Sequence, residues 1–258
     1  SKCKLIMSRR SLNLYQKNFP LSKTIEKFLH KKVDKILVNS KAVKNQLINK
    51  ENVSKNKIKI IYNGVDARYR KRDNRRYGKS SIIMIANLIP YKNHRMVLYA
   101  LNIIKEKLPK DWFIYFIGRD DGIRKDLVSL AEKLEIRKNT LFIHTEDIHS
   151  ILPDMSMGIL CSEEESFPNA ILEYFSHKVP VISSDVGGCK EIVKNKKNGI
   201  LLKENSDLEL SKAILYLYKN KKIGKKFGTE GFKIIKKKFT LNKMINEHER
   251  EYLELVNP

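Results

Sequence analysis

Two carboxylates in one short stretch of the chain have a spacing that lets them act on the same ligand. In the segment EEESFPNAILEYFSHKVPVISSDVGG, Glu165 and Glu173 are separated by an aromatic residue, a proline and the beginning of an apolar helical pattern. Carboxylates accept hydrogen bonds from hydroxyl groups, and they repel phosphates. The arrangement favours a pair that binds a hydroxyl-rich ligand over two unrelated surface charges.

The residues between the two glutamates predict the start of a helix that can bind an anion. Pro168 fits the first helical position, because an N–H group there would be unpaired in any case. Ser166 or Phe167 is then expected at the cap, and Asn169 and Ala170 have backbone N–H groups that no helical carbonyl accepts. These N–H groups and the helix dipole together make such a helix start an anion site.

A cation for the same anion is expected from another strand end. Lys92 lies in ANLIPYKNH, shortly after the first apolar run of the same predicted domain. Glu165 is on the loop that follows the run MGILCS, whereas Glu173 falls in the second turn of the predicted helix. Because ligands of open α/β sheets bind at the carboxyl ends of the strands, the three side chains are predicted to meet at one sheet edge.

The elements that position these residues form an alternating pattern. WFIYFIG, residues 112–118, is a continuous apolar run typical of a strand buried on both faces. Gly118 ends this run and leaves backbone room for a nucleotide. Similar runs alternate with amphipathic helical patterns, which implies parallel strands joined by right-handed crossovers. We therefore predict a doubly wound α/β domain over residues 77–238.

The segments on either side of this domain belong to other units. Residues 1–76 show the pattern helix, strand, helix, strand, which predicts part of a second Rossmann-like α/β unit. This pattern is followed by a polar linker, DARYRKRDNRRYGKS. Residues 239–258 predict a closing helix that docks on another surface. The first residues are similar to the middle of a strand, and we expect further chain upstream of them.

The charge of the chain limits the classes of partner that it is expected to bind. The 258 residues carry a formal net charge of +23, and only 12 of the 52 basic residues are arginines. The lysines occur in every segment, whereas nucleic-acid readers gather charge on one face and use arginine forks on bases. Nucleic acid is therefore disfavoured as a partner. The cluster of Lys221, Lys222, Lys225 and Lys226 favours an anionic membrane surface or anionic substrates.

Cysteine usage and hydropathy predict the compartment. Cys3, Cys161 and Cys189 have no disulfide-framework spacing, which favours a reducing compartment. No apolar run has the length of a membrane span, and the first residues do not have the form of a signal peptide. We therefore expect a cytoplasmic protein, with peripheral association at the inner membrane face as a further expectation from the basic clusters.

Several segments together resemble a known family. ANLIPYKN, FIGRDDG, SEEESFPNAILE, VPVISSDVGGCKEIV and NGILL occur in the order and at the spacings found in retaining glycosyltransferases of family four, which have the GT-B fold. VNSKAVKNQL and IIYNGVD resemble the segment that joins the two Rossmann-like domains of that family. The resemblance implies that 77–238 is a donor domain for a nucleotide-sugar. It also implies that 1–76 is the remnant of an N-terminal acceptor domain with its linker.

The resemblance also implies roles for individual residues. Glu165 matches the glutamate that contacts the transferred sugar, Glu173 the one that holds the ribose hydroxyls, and Lys92 the lysine on the diphosphate. Asn87 stands where the family often has arginine, so it can donate a hydrogen bond but brings no charge. Ser166 replaces a frequent glycine. The other predicted donor-binding residues are Gly118, Phe167, Asn169 and Ala170.

The implied reaction is transfer of a sugar from a UDP- or GDP-sugar to an acceptor hydroxyl, with retention of anomeric configuration. Lys92 and the helix start would stabilise the leaving diphosphate, and Glu165 would orient the sugar. Lys92 and Glu165 are therefore the predicted catalytic residues. No metal or further cofactor is predicted, because no Asp-x-Asp pair is present and His144 and His149 lack a third ligand. The base is expected to meet backbone over residues 145–148.

Two alternatives remain at the level of sequence. One is another GT-B enzyme, an epimerase or phosphorylase acting on an activated sugar, which the glutamate spacing disfavours. The other is a non-catalytic basic module that binds nucleotides, lipids or nucleic acid. For the transferase, the expected acceptor is a glycan or lipid-linked sugar in cell-surface polysaccharide synthesis. The 258 residues alone are expected to bind donor with little transfer, because in the family the acceptor domain forms the other cleft wall.

Overall fold

The structure is a computed structural model that describes residues 3–12, 20–67, 80–145 and 147–256. The chain forms two α/β units, each with a parallel sheet. The elements of the first unit are β1 (Ile6–Arg9), α1 (Pro20–Lys32), β2 (Lys35–Val38), α2 (Lys41–Glu51) and β3 (Ile58–Ile60). Its three strands lie in the order β1-β2-β3 and pair in parallel. Most of the predicted linker, residues 68–79, lies outside the described residues.

The second unit contains a six-stranded sheet. Its elements are β4 (Ser80–Ile85), α3 (His94–Ile104), β5 (Trp112–Ile117), α4 (Arg124–Lys133), β6 (Thr140–Ile143), β7 (Met157–Leu160), α5 (Asn169–Ser176), β8 (Val181–Ser184), α6 (Cys189–Ile192), β9 (Gly199–Leu202), α7 (Asp207–Lys219) and α8 (Lys221–Lys238). The strand order is β6-β5-β4-β7-β8-β9, and every neighbouring pair is parallel. The predicted doubly wound, Rossmann-like α/β fold is confirmed.

Both faces of the six-stranded sheet are covered by helices. Ile82 and Met84 of β4 pack in one apolar cluster with residues of α3, α4 and α7. Ile83, between them in sequence, belongs to a second cluster with residues of α5, α6 and α8. Side chains of a strand alternate between its faces, so a strand covered on both faces requires apolar residues at successive positions. This explains the uninterrupted apolar runs in the sequence.

A buried ionic cluster fixes the first unit around Arg9. Its guanidinium donates to Glu26 Oε2 at 2.5 Å and to Glu51 Oε1 at 2.9 Å. His30 Nδ1 lies 3.6 Å from Glu51 Oε2. Burial lowers the pKa of His30, and the charge of Arg9 lowers it further. Arginine therefore supplies the positive charge that neutralises the carboxylates.

Helix α9 (Leu241–Val256) and α6 connect the two units. In α9 the fully buried carboxylate of Glu251 forms ion pairs with Lys35 and Lys59 of the first unit. In α6 the carboxylate of Glu191 accepts hydrogen bonds from the backbone N–H groups of Lys41 at 3.0 Å and Ala42 at 3.1 Å, at the start of α2. Among the described residues, no helix combines the length and apolar character needed to cross a membrane.

Candidate active site

The strand order places the predicted site at the centre of the six-stranded sheet. β5 and β6 extend from β4 in one direction, and β8 and β9 extend from β7 in the other. The crossovers therefore reverse direction between β4 and β7, and the loops that leave their carboxyl ends border a crevice. The loop after β4 carries Asn87 and Lys92, and the loop after β7 carries Glu165.

Glu165 and Lys92, the two predicted catalytic residues, are in direct contact. Lys92 Nζ lies 2.5 Å from Glu165 Oε1, and the Ser162 hydroxyl donates to the same oxygen at 2.7 Å. The Lys92 and Glu165 side chains are only 17% and 11% exposed. Lys92 Nζ also lies 5.1 Å from the centre of the Tyr91 ring. An anion that binds Lys92 therefore competes with Glu165 for its ammonium group.

Backbone contacts hold the two loops together. The N–H of Glu163 donates to the carbonyl of Tyr91 at 2.9 Å, and the Asn93 side chain donates to the carbonyl of Cys161 at 3.1 Å. These bonds join the loop after β4 to the loop after β7. The separation of Lys92 from Glu165 is thus set by neighbouring main chain as well as by their own side chains.

A glycine pair after β8 supports the Glu165 loop, a role that sequence reasoning missed. Gly187 has φ +48°, and a Cβ built there would lie 1.6 Å from the carbonyl oxygen of Glu165. A Cβ on Gly188 would lie 2.2 Å from the carbonyl oxygen of Ser166. The N–H of Gly188 donates to the Glu165 carbonyl at 3.1 Å. The Gly-Gly pair is visible in the sequence. In the structure the two glycines contact the backbone of the Glu165 loop, so their role is to support that loop.

Glu173 lines a cavity of about 370 Å³ at the same sheet edge. Burial raises the pKa of its carboxyl to about 7. Near neutral pH it is therefore divided between two forms: the carboxylate accepts hydrogen bonds from hydroxyl groups, and the acid can also donate one. This is the chemistry expected of a group that holds a diol.

Asn87 and Gly118 line the same cavity. A Cβ on Gly118 would lie 2.2 Å from the carbonyl oxygen of Ala86, so the ends of β4 and β5 approach each other where only glycine fits. Asn87 Oδ1 accepts the N–H of Arg119 at 3.3 Å, which leaves the amide nitrogen as the donor end of the side chain. Asn87 therefore braces the turn after β5.

Arg119 is a lining residue that sequence reasoning missed, although it directly follows Gly118 in FIGRDDG. Its guanidinium pairs with Asp121 at 2.7 Å and is largely exposed. Thr145 and Ile148 of the predicted base region also line this cavity, whereas residue 146 lies outside the described residues. A cation thus stands beside the residues expected to meet the base.

The start of α5 differs in detail from the sequence prediction. Pro168 is the N-cap, with φ −77° and ψ 113°, and the helix begins at Asn169. The prediction of Pro168 as the first helical residue, capped by Ser166 or Phe167, is therefore wrong. The extended ψ of Pro168 keeps it outside the helix, and the Ser166 hydroxyl donates instead to the carbonyl of Arg10 at 2.7 Å. No side chain caps this helix start, so its N–H groups remain available to a ligand.

The remaining predicted donor residues divide between core and unit contact. Phe167, 4% exposed, packs on Tyr62 at a centroid distance of 5.2 Å, and Ala170 belongs to the same buried cluster. Asn169 Oδ1 accepts the side-chain N–H of Asn63 at 2.7 Å, which ties the helix start to the first unit. Phe167 and Ala170 can therefore reach a ligand only through their backbone.

The predicted residues thus form two adjoining groups. One group is the Lys92–Glu165 pair, whose glutamate lies on the loop that leads into α5, and the other is the cavity with Asn87, Gly118 and Glu173. Lys92 and Glu165 do not line that cavity. Glu165 precedes α5, and Glu173 lies within it, one turn beyond its start, so the helix start separates one carboxyl group from the other along the chain. A ligand with an anionic centre and hydroxyl-bearing parts can contact both.

The GT-B architecture consists of two α/β units with parallel sheets and a site where the strand order of the second sheet reverses. Residues 65–234 match the family model for glycosyl transferases group 1, and residues 8–69 match that for glycosyltransferase family 4. Since the first match covers well over half of the chain, the protein belongs to the glycosyl transferases group 1 family.

Two curated relatives are a glycosyltransferase and a synthase. An uncharacterized glycosyltransferase of Methanocaldococcus jannaschii, MJ1178, is 30% identical over 230 residues, which cover 86% of this chain and 60% of the relative. The N-acetyl-alpha-D-glucosaminyl L-malate synthase of Bacillus anthracis is 27% identical over 228 residues, 83% of this chain and 59% of the relative. The chain thus spans about three fifths of the length of these curated relatives.

A solved structure with the same fold holds a nucleotide. Anabaena Alr3699/HepE in complex with UDP superposes with a TM-score of 0.87 at 18% identity, covering 97% of this chain and 72% of that one. HepE has also been solved with UDP-glucose, with a TM-score of 0.83 and 18% identity over 96% of this chain and 71% of that one. At this identity the likeness establishes the fold.

Proposed function

We propose that this protein transfers a sugar from a nucleotide-sugar to an acceptor hydroxyl, at the site between the carboxyl ends of β4 and β7. The observation that carries the proposal is the Lys92–Glu165 contact on the loop that leads into an uncapped helix start, with the half-buried carboxyl of Glu173 one turn further along the helix. A nucleoside diphosphate sugar has an anionic centre with hydroxyl-bearing rings on both sides. The site offers a cation and backbone N–H groups for the anionic centre, and one carboxyl group for each ring.

Each group then has a defined part in the reaction. The diphosphate binds Lys92 and the N–H groups at the start of α5, and it displaces Glu165 from Lys92. Glu165, released from the ion pair, accepts hydrogen bonds from the sugar, while Glu173 holds the ribose hydroxyls. As the glycosidic bond breaks, negative charge accumulates on the diphosphate, and preorganised donors aimed at it supply the main stabilisation of the transition state.

We further propose that the reaction retains anomeric configuration and does not depend on a metal. The Ser162 hydroxyl donates to Glu165 and keeps its carboxylate hydrogen-bonded once Lys92 binds the diphosphate, which supports a role in orienting the sugar rather than as a covalent nucleophile. The acceptor hydroxyl then attacks from the face that the diphosphate leaves. Lys92 and the helix start provide the positive potential that a metal gives in other phosphate sites.

The donor is proposed to be a UDP- or GDP-sugar, and UDP has the stronger support. HepE, which shares this fold, has been solved with UDP and with UDP-glucose. The acceptor is proposed to be a glycan or lipid-linked sugar in cell-surface polysaccharide synthesis at the cytoplasmic side of the membrane. The two relatives named above are called a glycosyltransferase and a synthase, which supports a transferase over an epimerase or a phosphorylase.

Calorimetric titration of the chain with UDP and GDP tests the proposal. We expect one binding site for at least one of them. Lys92→Ala should weaken it by about tenfold to a hundredfold, because hydrogen bonds to charged groups contribute about 1.5–3 kcal/mol. Lys110→Ala, which removes an exposed lysine before β5, is the matched control and should bind like the wild type. The absence of binding to either nucleotide would refute the proposal.

A further inference from the structure

A second cavity lies at the opposite end of the six-stranded sheet from the candidate active site. It has a volume of about 520 Å³ and is lined by Ser80 and Met157, the first residues of β4 and β7, and by Pro180 immediately before β8. Helices α7 and α8 form its other walls. Pockets of this size hold small molecules, and the proposed transfer reaction does not use this one.

The interior and the rim of this cavity differ in character. The buried lining is mostly apolar, with Ile82, Met155, Met157, Ile214 and Leu217 at most 4% exposed, and it also includes the buried polar residues Ser80 and His177. Lys178, Lys221 and Lys225 also line it, and the latter two are exposed. Among the described residues that line the cavity, none is an aspartate or a glutamate. The cavity is therefore mostly apolar inside and cationic at its rim.

Helix α8 extends the cationic rim into a basic surface. Its 18 residues include eight lysines, all of them exposed, and one glutamate. Lys221 Nζ lies 5.8 Å from the centre of the Tyr218 ring, and Lys178 Nζ lies 5.1 Å from that of Phe232. Rings thus hold two of the rim ammonium groups in place. An anionic surface facing α8 meets a dense array of positive charge.

We infer that α8 and this cavity form a docking site for an anionic phospholipid of a bilayer. The phosphate lies among Lys178, Lys221 and Lys225, and one acyl chain enters the apolar cavity below them. Charge complementarity selects the headgroup, and the apolar walls select a ligand with a hydrocarbon chain, because each buried methylene adds to the affinity. A nucleic acid or free phosphate satisfies the rim but leaves the interior empty.

Sedimentation with vesicles tests the docking of the whole chain. We expect binding to phosphatidylglycerol vesicles and none to phosphatidylcholine vesicles. The double variant Lys221→Gln, Lys225→Gln should weaken binding about thirtyfold, as expected for two lysines near an anionic surface. Lys50→Gln, Lys55→Gln, an equal charge change at exposed residues of the first unit, is the matched control. Equal loss in both double variants would overturn the site, as would no vesicle binding by the wild type.

Entry of the acyl chain has a separate reporter. Trp112 is the only tryptophan of the chain and pairs in register with Ser80, which lines the cavity. Phosphatidylglycerol with brominated acyl chains should quench Trp112 fluorescence, and the Lys221→Gln, Lys225→Gln variant should lose the quenching. Vesicle binding without quenching would overturn the inference. Polyuridylate binding of equal strength, with the same loss in that variant, would assign the surface to nucleic acid instead. The test is independent of the proposed reaction, since UDP binding is expected to be unchanged in the variant.

Discussion

Replacing Glu173 by glutamine should stabilise the protein at alkaline pH. Glu173 lies in the second turn of α5 and faces the cavity at the carboxyl ends of β4 and β5. Burial is the cause that raises its pKa, from 4.5 to about 7. Its carboxyl therefore loses a proton less readily in the folded protein than in the unfolded chain. Glutamine has nearly the same shape and cannot ionise.

The magnitude follows from the difference between the two pKa values. Each pKa unit corresponds to about 1.4 kcal/mol, so ionised Glu173 costs the fold about 3 kcal/mol relative to the protonated form. Because the folded protein binds the proton more tightly, this stability is fully present below pH 4.5 and is lost as the pH rises through about 7. Between pH 5 and pH 8 the wild type should lose about 2–3 kcal/mol that the variant keeps.

Urea unfolding of both proteins at several pH values between 5 and 8 measures this difference. Groups that titrate equally in both proteins cancel, so only the contribution of Glu173 remains. Glu163→Gln, at an exposed glutamate of the neighbouring loop, is the control and should follow the wild type at every pH. Parallel pH profiles for the wild type and Glu173→Gln would show that the carboxyl is not desolvated, and the reasoning would fail.

The same carboxyl links stability to the proposed binding. Ribose hydroxyls that donate to Glu173 stabilise its charged form and so lower its pKa. UDP binding near pH 6.5 should then release protons, which calorimetry detects as a dependence of the binding heat on the ionisation enthalpy of the buffer. The Glu173→Gln variant should bind UDP more weakly and with a smaller dependence, because only the terminal phosphate of UDP, whose second pKa is about 6, then releases a proton.

Three further perturbations have defined outcomes. Glu165→Gln should bind UDP at least as tightly as the wild type, because it removes the carboxylate that competes with the diphosphate for the lysine; much weaker binding in calorimetry would contradict the displacement step. Arg9→Met should lower the free energy of unfolding by about 3–5 kcal/mol, because it removes the guanidinium that pairs with the buried carboxylate of Glu51 and the half-buried carboxylate of Glu26. Arg250→Met, at an exposed arginine, should change urea unfolding little. Gly187→Ala should weaken UDP binding and lower the melting temperature through the clash with the Glu165 carbonyl. Gly122→Ala, where φ is +110° but a Cβ meets nothing within 4 Å, should lower the melting temperature through backbone strain alone and retain UDP affinity.

Local sequence patterns determined the class of fold and the order of its elements. The strands of the second unit are short and apolar on both faces, and glycine or polar loops end them. The start of the helix that carries Glu173 is predicted to within one residue. The error at Pro168 arises because proline fixes φ while leaving ψ free. Position along the chain also placed Lys92 and Glu165 after strands, which limits both to one edge of a parallel sheet.

Sequence could not show which buried environment each side chain would enter. Phe167 and Ala170 were predicted near the donor, and the structure places their side chains in the core, because the loop before α5 folds against Tyr62. The carboxylate of Glu191 was given no role, yet it accepts N–H groups at the start of α2, 150 positions away. Such contacts join distant segments and have no local periodicity to reveal them.

The sequence by itself determined an alternating α/β chain, and it predicts a helix start with backbone donors and two carboxylates and a lysine that meet a polar, anionic ligand. Only the tertiary structure decided that β4 and β7 are neighbours, that Lys92 is paired with Glu165, and that Glu173 is desolvated. The physical reason is that residue type and spacing fix hydrogen bonding and hydrophobic exposure within one element. Distances between charges and the loss of solvent depend on which elements pack together.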